Sequence, residues 1–74
     1  NNEDAWMNKG RALYFLGKIA ESIKCCDKVI ELNPKNAKVW AIKSVAFKAL
    51  HRYDEAEAAI MKAKELGYRE ITRK

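Results

Sequence analysis

The sequence predicts an all-α fold of two antiparallel helix pairs, and three observations carry that prediction. The first is a period: in a chain of 74 residues, Trp6 recurs as Trp40, a step of 34. The same step maps Lys9 onto Lys43, Ala12 onto Ala46, Leu16 onto Leu50, Glu21 onto Glu55 and Lys28 onto Lys62. The second is apolar spacing at helical intervals, in two blocks per unit. The third is the set of helix-breaking residues between those blocks. Fixed-period self-similarity means stacked units that bury their apolar faces against neighbours rather than around one closed core. Such an array offers a surface for binding and not a pocket for chemistry.

The first unit spans residues 1–36. Its first helix is expected over about 3–16, because Trp6, Gly10 and Leu13 fall at i, i+4 and i+7 and form one stripe. Gly17 takes a positive φ without steric cost and ends it. Ile19, Ile23, Cys26 and Ile30 repeat the pattern over about 19–32. Asn33-Pro34 stops that helix, since proline cannot continue one and restricts the residue before it. The second unit spans residues 37–70. Asn36 is expected to cap a helix over about 37–50, His51-Arg52 to make the turn, and Asp54 to cap a helix over about 54–66 that ends at Gly67. Residues 71–74 form a basic tail.

The expected core follows from size. Gly10, Ala12, Ser22 and Ala56 are small enough for paired helices to approach closely, and Trp6 and Trp40 fill the space they leave. Leu13 and Cys26 complete the core of the first unit, Phe47 and Ile60 that of the second.

With these residues in place the chain resembles two tetratricopeptide repeats, over nearly its whole length. That family's unit has Trp, Leu-Gly, Tyr, Ala, Phe, Ala and Pro at set positions. Those slots hold Trp6, Lys9-Gly10, Leu13, Ser22, Cys26, Val29 and Pro34 in the first unit. In the second they hold Trp40, Lys43-Ser44, Phe47, Ala56, Ile60, Ala63 and Tyr68. The run Ala5-Trp6-Met7-Asn8-Lys9-Gly10 is similar to a W-x-N-K-G variant of prokaryotic members. The resemblance implies an α-α superhelix that serves as a protein-binding scaffold. Two slots depart from the pattern. Lysine replaces leucine in both units, where its stem can pack while its ammonium reaches water. Tyr68 replaces the closing proline, so that end need not turn into another repeat.

The two ends of the array differ. Ile23 and Ile30 become Glu57 and Lys64 one period later. The isoleucines are expected to pack on Val39, Ala46 and Leu50, whereas the charged pair makes the last helix a polar-faced terminus. At the other end Ala5, Ala12 and Leu16 match that docking stripe with nothing before them. The expectation is a carboxy-terminal part of a longer array, processed or excised since it starts with Asn, whose uncovered stripe favours self-association.

In the family the first helices of stacked repeats line a concave groove. The matching positions are Met7, Asn8, Arg11, Tyr14 and Phe15, then Lys38, Ala41, Ile42, Val45 and Lys48. Helical spacing separately puts Met7, Arg11, Tyr14 and Phe15 on one face, offset from the Trp6 stripe. An arginine beside aromatics and a methionine can hold an apolar anchor and an acidic group together. Some relatives clamp a peptide carboxylate with Lys, Asn and Arg. Asn8 and Lys38 match two clamp slots, but Ile42 stands where arginine is needed, and Met7 and Ala41 miss the other lysine slot, so that specificity is incomplete.

Other classes are poorly served. No apolar run approaches the roughly 20 residues of a membrane helix, and no signal-peptide pattern is present. Cys25-Cys26 lacks the framework of a secreted disulfide scaffold and reads as two small buried hydrophobes in a reducing cytoplasm. His51 is the only histidine, which leaves a metal without ligands. No phosphate loop or activated nucleophile is visible, so neither enzyme activity nor a cofactor is expected. Net charge is +5, with lysines interleaved among acids. That favours an acidic protein or peptide partner, with nucleic-acid binding through distributed basic residues as the alternative.

Overall fold

The computed structural model describes residues 2–68, and within them the chain folds into four helices: α1 Asn2–Phe15, α2 Ile19–Leu32, α3 Ala37–Ala49 and α4 Tyr53–Glu65. Residues 69–70 of the second unit and the basic tail 71–74 lie outside the described residues. The fold is all-α, two helical hairpins in series.

Three of the four helices stop in the same way. Gly17, His51 and Gly67 take φ of 85, 62 and 102°. The next amide then reaches back five residues, Lys18 to the Leu13 carbonyl at 2.8 Å, Arg52 to Phe47 at 2.9 Å and Tyr68 to Ala63 at 2.9 Å. This is the left-handed Schellman stop, which satisfies carbonyls the helix leaves open. Helix α2 ends differently, on extended Asn33 followed by Pro34.

The starts are less uniform. The Asn36 side chain accepts from the Val39 amide at 3.2 Å and caps α3. Asp54 does not cap α4. Arg52 stands at the cap with no side-chain bond, because the helix already begins at Tyr53. Asp54 and Glu55 sit in its first turn, where their charge meets the positive end of the helix dipole.

Each helix packs on the next in sequence, and α1 meets α3 lightly along one edge. Within the first hairpin Ser22, fully buried, donates from Oγ to the Gly10 carbonyl at 2.7 Å. A Cβ at Gly10 would stand 3.3 Å from Cβ of Cys25, so a side chain there would have to push α2 back by a few tenths of an ångström. Between the hairpins, Cys26, Val29 and Val39 form a buried cluster ringed by Trp6, Met7, Ile30, Trp40 and Ile42. A second cluster, Phe47, Ala56 and Ala59, takes in Ile23 and Trp40. Ile30 therefore packs by Val39 as expected, whereas Ile23 packs on the Phe47 cluster and Leu50 stays exposed.

Of the expected core, Gly10, Ser22, Cys26, Phe47 and Ala56 are buried and Trp6, Leu13, Trp40 and Ile60 half-buried, whereas Ala12 is exposed and takes no part in the close approach. Polar ties fix the angle between hairpins. Glu3 Oε1 accepts from Asn33 Nδ2 at 3.1 Å and Asn36 Nδ2 at 3.0 Å. The Lys43 ammonium pairs with Asp27 at 2.6 Å instead of reaching open water, while Lys9 is exposed.

Candidate docking groove

Because α1 and α3 lie side by side with α2 behind them, one face of each contributes to a shared cleft. Met7 and Arg11 of α1 meet Lys38, Ala41, Ile42 and Val45 of α3 around a cavity of about 400 Å³. The spacings Met7/Arg11 and Lys38/Ala41/Ile42/Val45 each keep to one helical face. Ala41 is buried and short, which lets the cleft reach inward between its longer neighbours. Met7 is held by Asn36, whose Nδ2 donates to Sδ at 3.2 Å.

A smaller niche of about 150 Å³ adjoins this cleft, lined by Arg11, Tyr14, Phe15, Ile42 and Val45. Tyr14 and Phe15 stack edge to face with centroids 5.5 Å apart. Phe15 is 81% exposed, so it forms a rim and not a floor. Arg11 belongs to both cavities. Neither Arg11 nor Lys38 has a carboxylate partner among the described residues.

Eight of the ten positions named from the sequence line one cavity or the other. Asn8 and Lys48 are exposed and line neither. The carboxylate clamp thus keeps Lys38 but not Asn8, and Ile42 contributes an apolar wall where the clamp has arginine. Tyr68 joins the larger cavity and was not among the named positions. Its signal lay in the departure already noted, an aromatic in the slot that Pro34 fills one period earlier.

The thiols take no part. Burial pushes the Cys26 thiol up to about 12, with Asp27 and Cys25 adding to the shift and Lys43 opposing it. Burial also raises Cys25, against the pull of Lys9. Both are free, buried and protonated at neutral pH, hence poor nucleophiles. Among the described residues no three His, Cys, Asp or Glu side chains are gathered as a metal site would need. His51 instead meets the Tyr53 hydroxyl through Nδ1 at 2.8 Å on the exposed turn. No helix among them is long and apolar enough to cross a membrane.

Two models of the tetratricopeptide repeat match this chain, one over residues 3–36 and one over residues 25–58. The first frame is the α1–α2 hairpin. The second is shifted by 22 residues and runs from within α2 through α3 into α4, so together they cover 3–58. No curated protein matches the chain.

Proposed function

This chain belongs to the tetratricopeptide repeat family, and on that premise we propose that it binds a protein segment in the groove between α1 and α3, one that pairs an apolar side chain with an acidic group. Tetratricopeptide repeats are non-catalytic modules that generally mediate protein–protein interaction. The observation that carries the finer reading is the position of Arg11, shared by the open cleft and the apolar niche. A ligand side chain buried against Tyr14, Ile42 and Val45 contributes about 1.5–3 kcal/mol. An exposed ion pair to Arg11 or Lys38 contributes roughly 0.2–1 kcal/mol. Apolar fit therefore sets affinity, while charge sets on-rate and register.

Selection of a random displayed peptide library on the chain tests this. Recovered peptides should share a carboxylate within a few residues of a large apolar side chain and should shift the resonances of Met7, Ile42 and Val45. Arg11→Glu should weaken them about tenfold, because the reversed charge adds repulsion to the lost pair, with the thermal midpoint unchanged. Peptides that shift residues elsewhere, or an Arg11 variant that unfolds, would refute the assignment. Affinity for oligonucleotides that falls steeply with salt would favour the nucleic-acid reading instead.

The same proposal includes self-association through Ala5, Ala12 and Leu16, all exposed, with Leu16 at 72%. Sedimentation should show a dimer at high concentration that Leu16→Lys abolishes; a strict monomer throughout would remove it.

A further inference from the structure

Beyond the groove, two cavities lie in the clefts within the hairpins, and the repeat relates them. The first, of about 530 Å³, is lined by Trp6, Lys9 and Leu13 of α1 and by Glu21, Lys24 and Lys28 of α2, with buried Cys25 at its floor. The second, of about 400 Å³, is lined at every position by the residue 34 places later. At 100° per residue, the α1 side chains of the first cavity project roughly 130° away from Met7, Arg11 and Tyr14. It is therefore a surface separate from the groove.

The two cavities share a framework and differ in charge. Each has an indole beneath a lysine ammonium, Lys9 over Trp6 at 5.2 Å and Lys43 over Trp40 at 5.3 Å. In the second, Lys43 is taken up by Asp27 at 2.6 Å, Glu55 is clasped by Arg52 at 2.6 and 3.1 Å, and Ala58 replaces the middle lysine. Lys43 and Glu55 are thus paired, and only Lys62 keeps a solvated 3.8 Å pair, with Glu65. In the first, three lysines face one glutamate. Lys9 and Lys24 have no carboxylate partner among the described residues, and Lys28 only a 3.8 Å pair with Glu31, both ends solvated.

We propose that the α1–α2 cavity is a second docking site, which seats one apolar side chain of an acidic protein segment against Trp6 and Leu13 while Lys9, Lys24 and Lys28 hold the flanking carboxylates. Charge complementarity selects this occupant, because of the two hairpin cavities the first carries the larger cation excess, beside Trp6 and Leu13. A nucleic-acid strand needs a track of cations for successive phosphates, and the neighbouring cavity, with Lys43 paired to Asp27 and Ala58 in place of a lysine, does not extend one.

The probe is an acetylated peptide, Glu-Glu-Phe-Glu-Glu, titrated into the 15N-labelled chain at low salt. The Trp6 indole N–H should shift saturably, and the Trp40 indole should stay in place. Replacing the peptide's phenylalanine with serine should remove most of the response. The double variant Lys24→Glu, Lys28→Glu, both exposed and so compatible with folding, should lower affinity about tenfold, in the range of charge-pair losses at an interface. Arg11→Glu should leave it unaltered, which separates this site from the groove. No saturable shift at Trp6, an equal shift at Trp40, or loss of binding with Arg11→Glu would each overturn the proposal. Tighter, lysine-dependent binding of oligouridylate than of the peptide would do the same.

Discussion

The two hairpins reach the same close approach with different residues. In the first, Gly10 on α1 faces Ser22 and Cys25 on α2; in the second, Ser44 on α3 takes the place of Gly10 while Ala56 and Ala59 take the places of the other two. Each set carries four side-chain heavy atoms, two of them moved from one helix to the other. What the repeat preserves at this contact is total bulk, not a residue type, as close packing requires. The outward faces diverge for another reason. Ile23 and Ile30 are covered by the second hairpin, whereas Glu57 and Lys64 on α4 are exposed.

The largest expected difference lies in the tryptophans. Trp40 touches both buried clusters and donates to the Pro34 carbonyl at 3.3 Å, while Trp6 touches only the first cluster. Trp40→Ala should cost about 3–5 kcal/mol and Trp6→Ala less, against a total stability that is small for a chain of this length. Urea unfolding of the two variants orders them. Equal losses would mean that the hairpins contribute independently and that Trp40 does not join them.

Next is the close approach itself. Gly10→Ser imports the residue of the second hairpin without its partners and should cost about 1–3 kcal/mol through overpacking against Cys25. Adding Ser22→Ala and Cys25→Ala transplants the whole set and restores the total bulk at the contact. A coupling of at least about 0.5 kcal/mol between the Gly10 change and the other two is expected. Additive losses would mean that bulk is not what the repeat preserves.

Much of the fold was legible because the period, the tryptophan slots and the stops at Gly17, Pro34 and Gly67 are local facts of the chain. The cap of α4 was not legible. Asp54 has the right chemistry, but the Schellman stop at His51 starts the helix two residues too early for it. The cleft was legible in part, since helical spacing gathers Met7 with Arg11 and Ile42 with Val45. Its outer limit was not, because whether Asn8 and Lys48 look into it depends on how α1 and α3 are rotated against each other. The Asp27–Lys43 pair was invisible for the same reason: it arises between elements, where no spacing rule reaches.

The turns offer a smaller contrast. Gly17 and His51 are period mates at φ of 85 and 62°, yet only one is glycine. Space is open around Gly17, so Gly17→Ala should lose only the backbone term, about 1–2 kcal/mol for a side chain in the left-handed region. His51→Gly should recover less than that, because it also deletes the hydrogen bond and edge contact with Tyr53. Thermal midpoints of both variants measure the difference, and a His51→Gly gain as large as the Gly17→Ala loss would mean that the Tyr53 contacts contribute nothing.

The effect expected to vanish at neutral pH concerns Cys26, whose period mate is Ile60. Burial holds this thiol near 12 against an ordinary value of 9. Above pH 9 the unfolded chain releases the thiol proton while the folded chain keeps it, so unfolding is favoured as the pH rises. Stability tied to this group is complete below pH 9 and declines from there towards 12. Cys26→Ala should remove that share of the decline and leave the rest, so the two urea midpoints, measured at pH 7 and again at pH 10.5, should converge. A gap that stays constant with pH would show that the thiolate is tolerated in the fold, as it could be only if α2 opens to water at Cys26, and the first hairpin would then be the looser of the two.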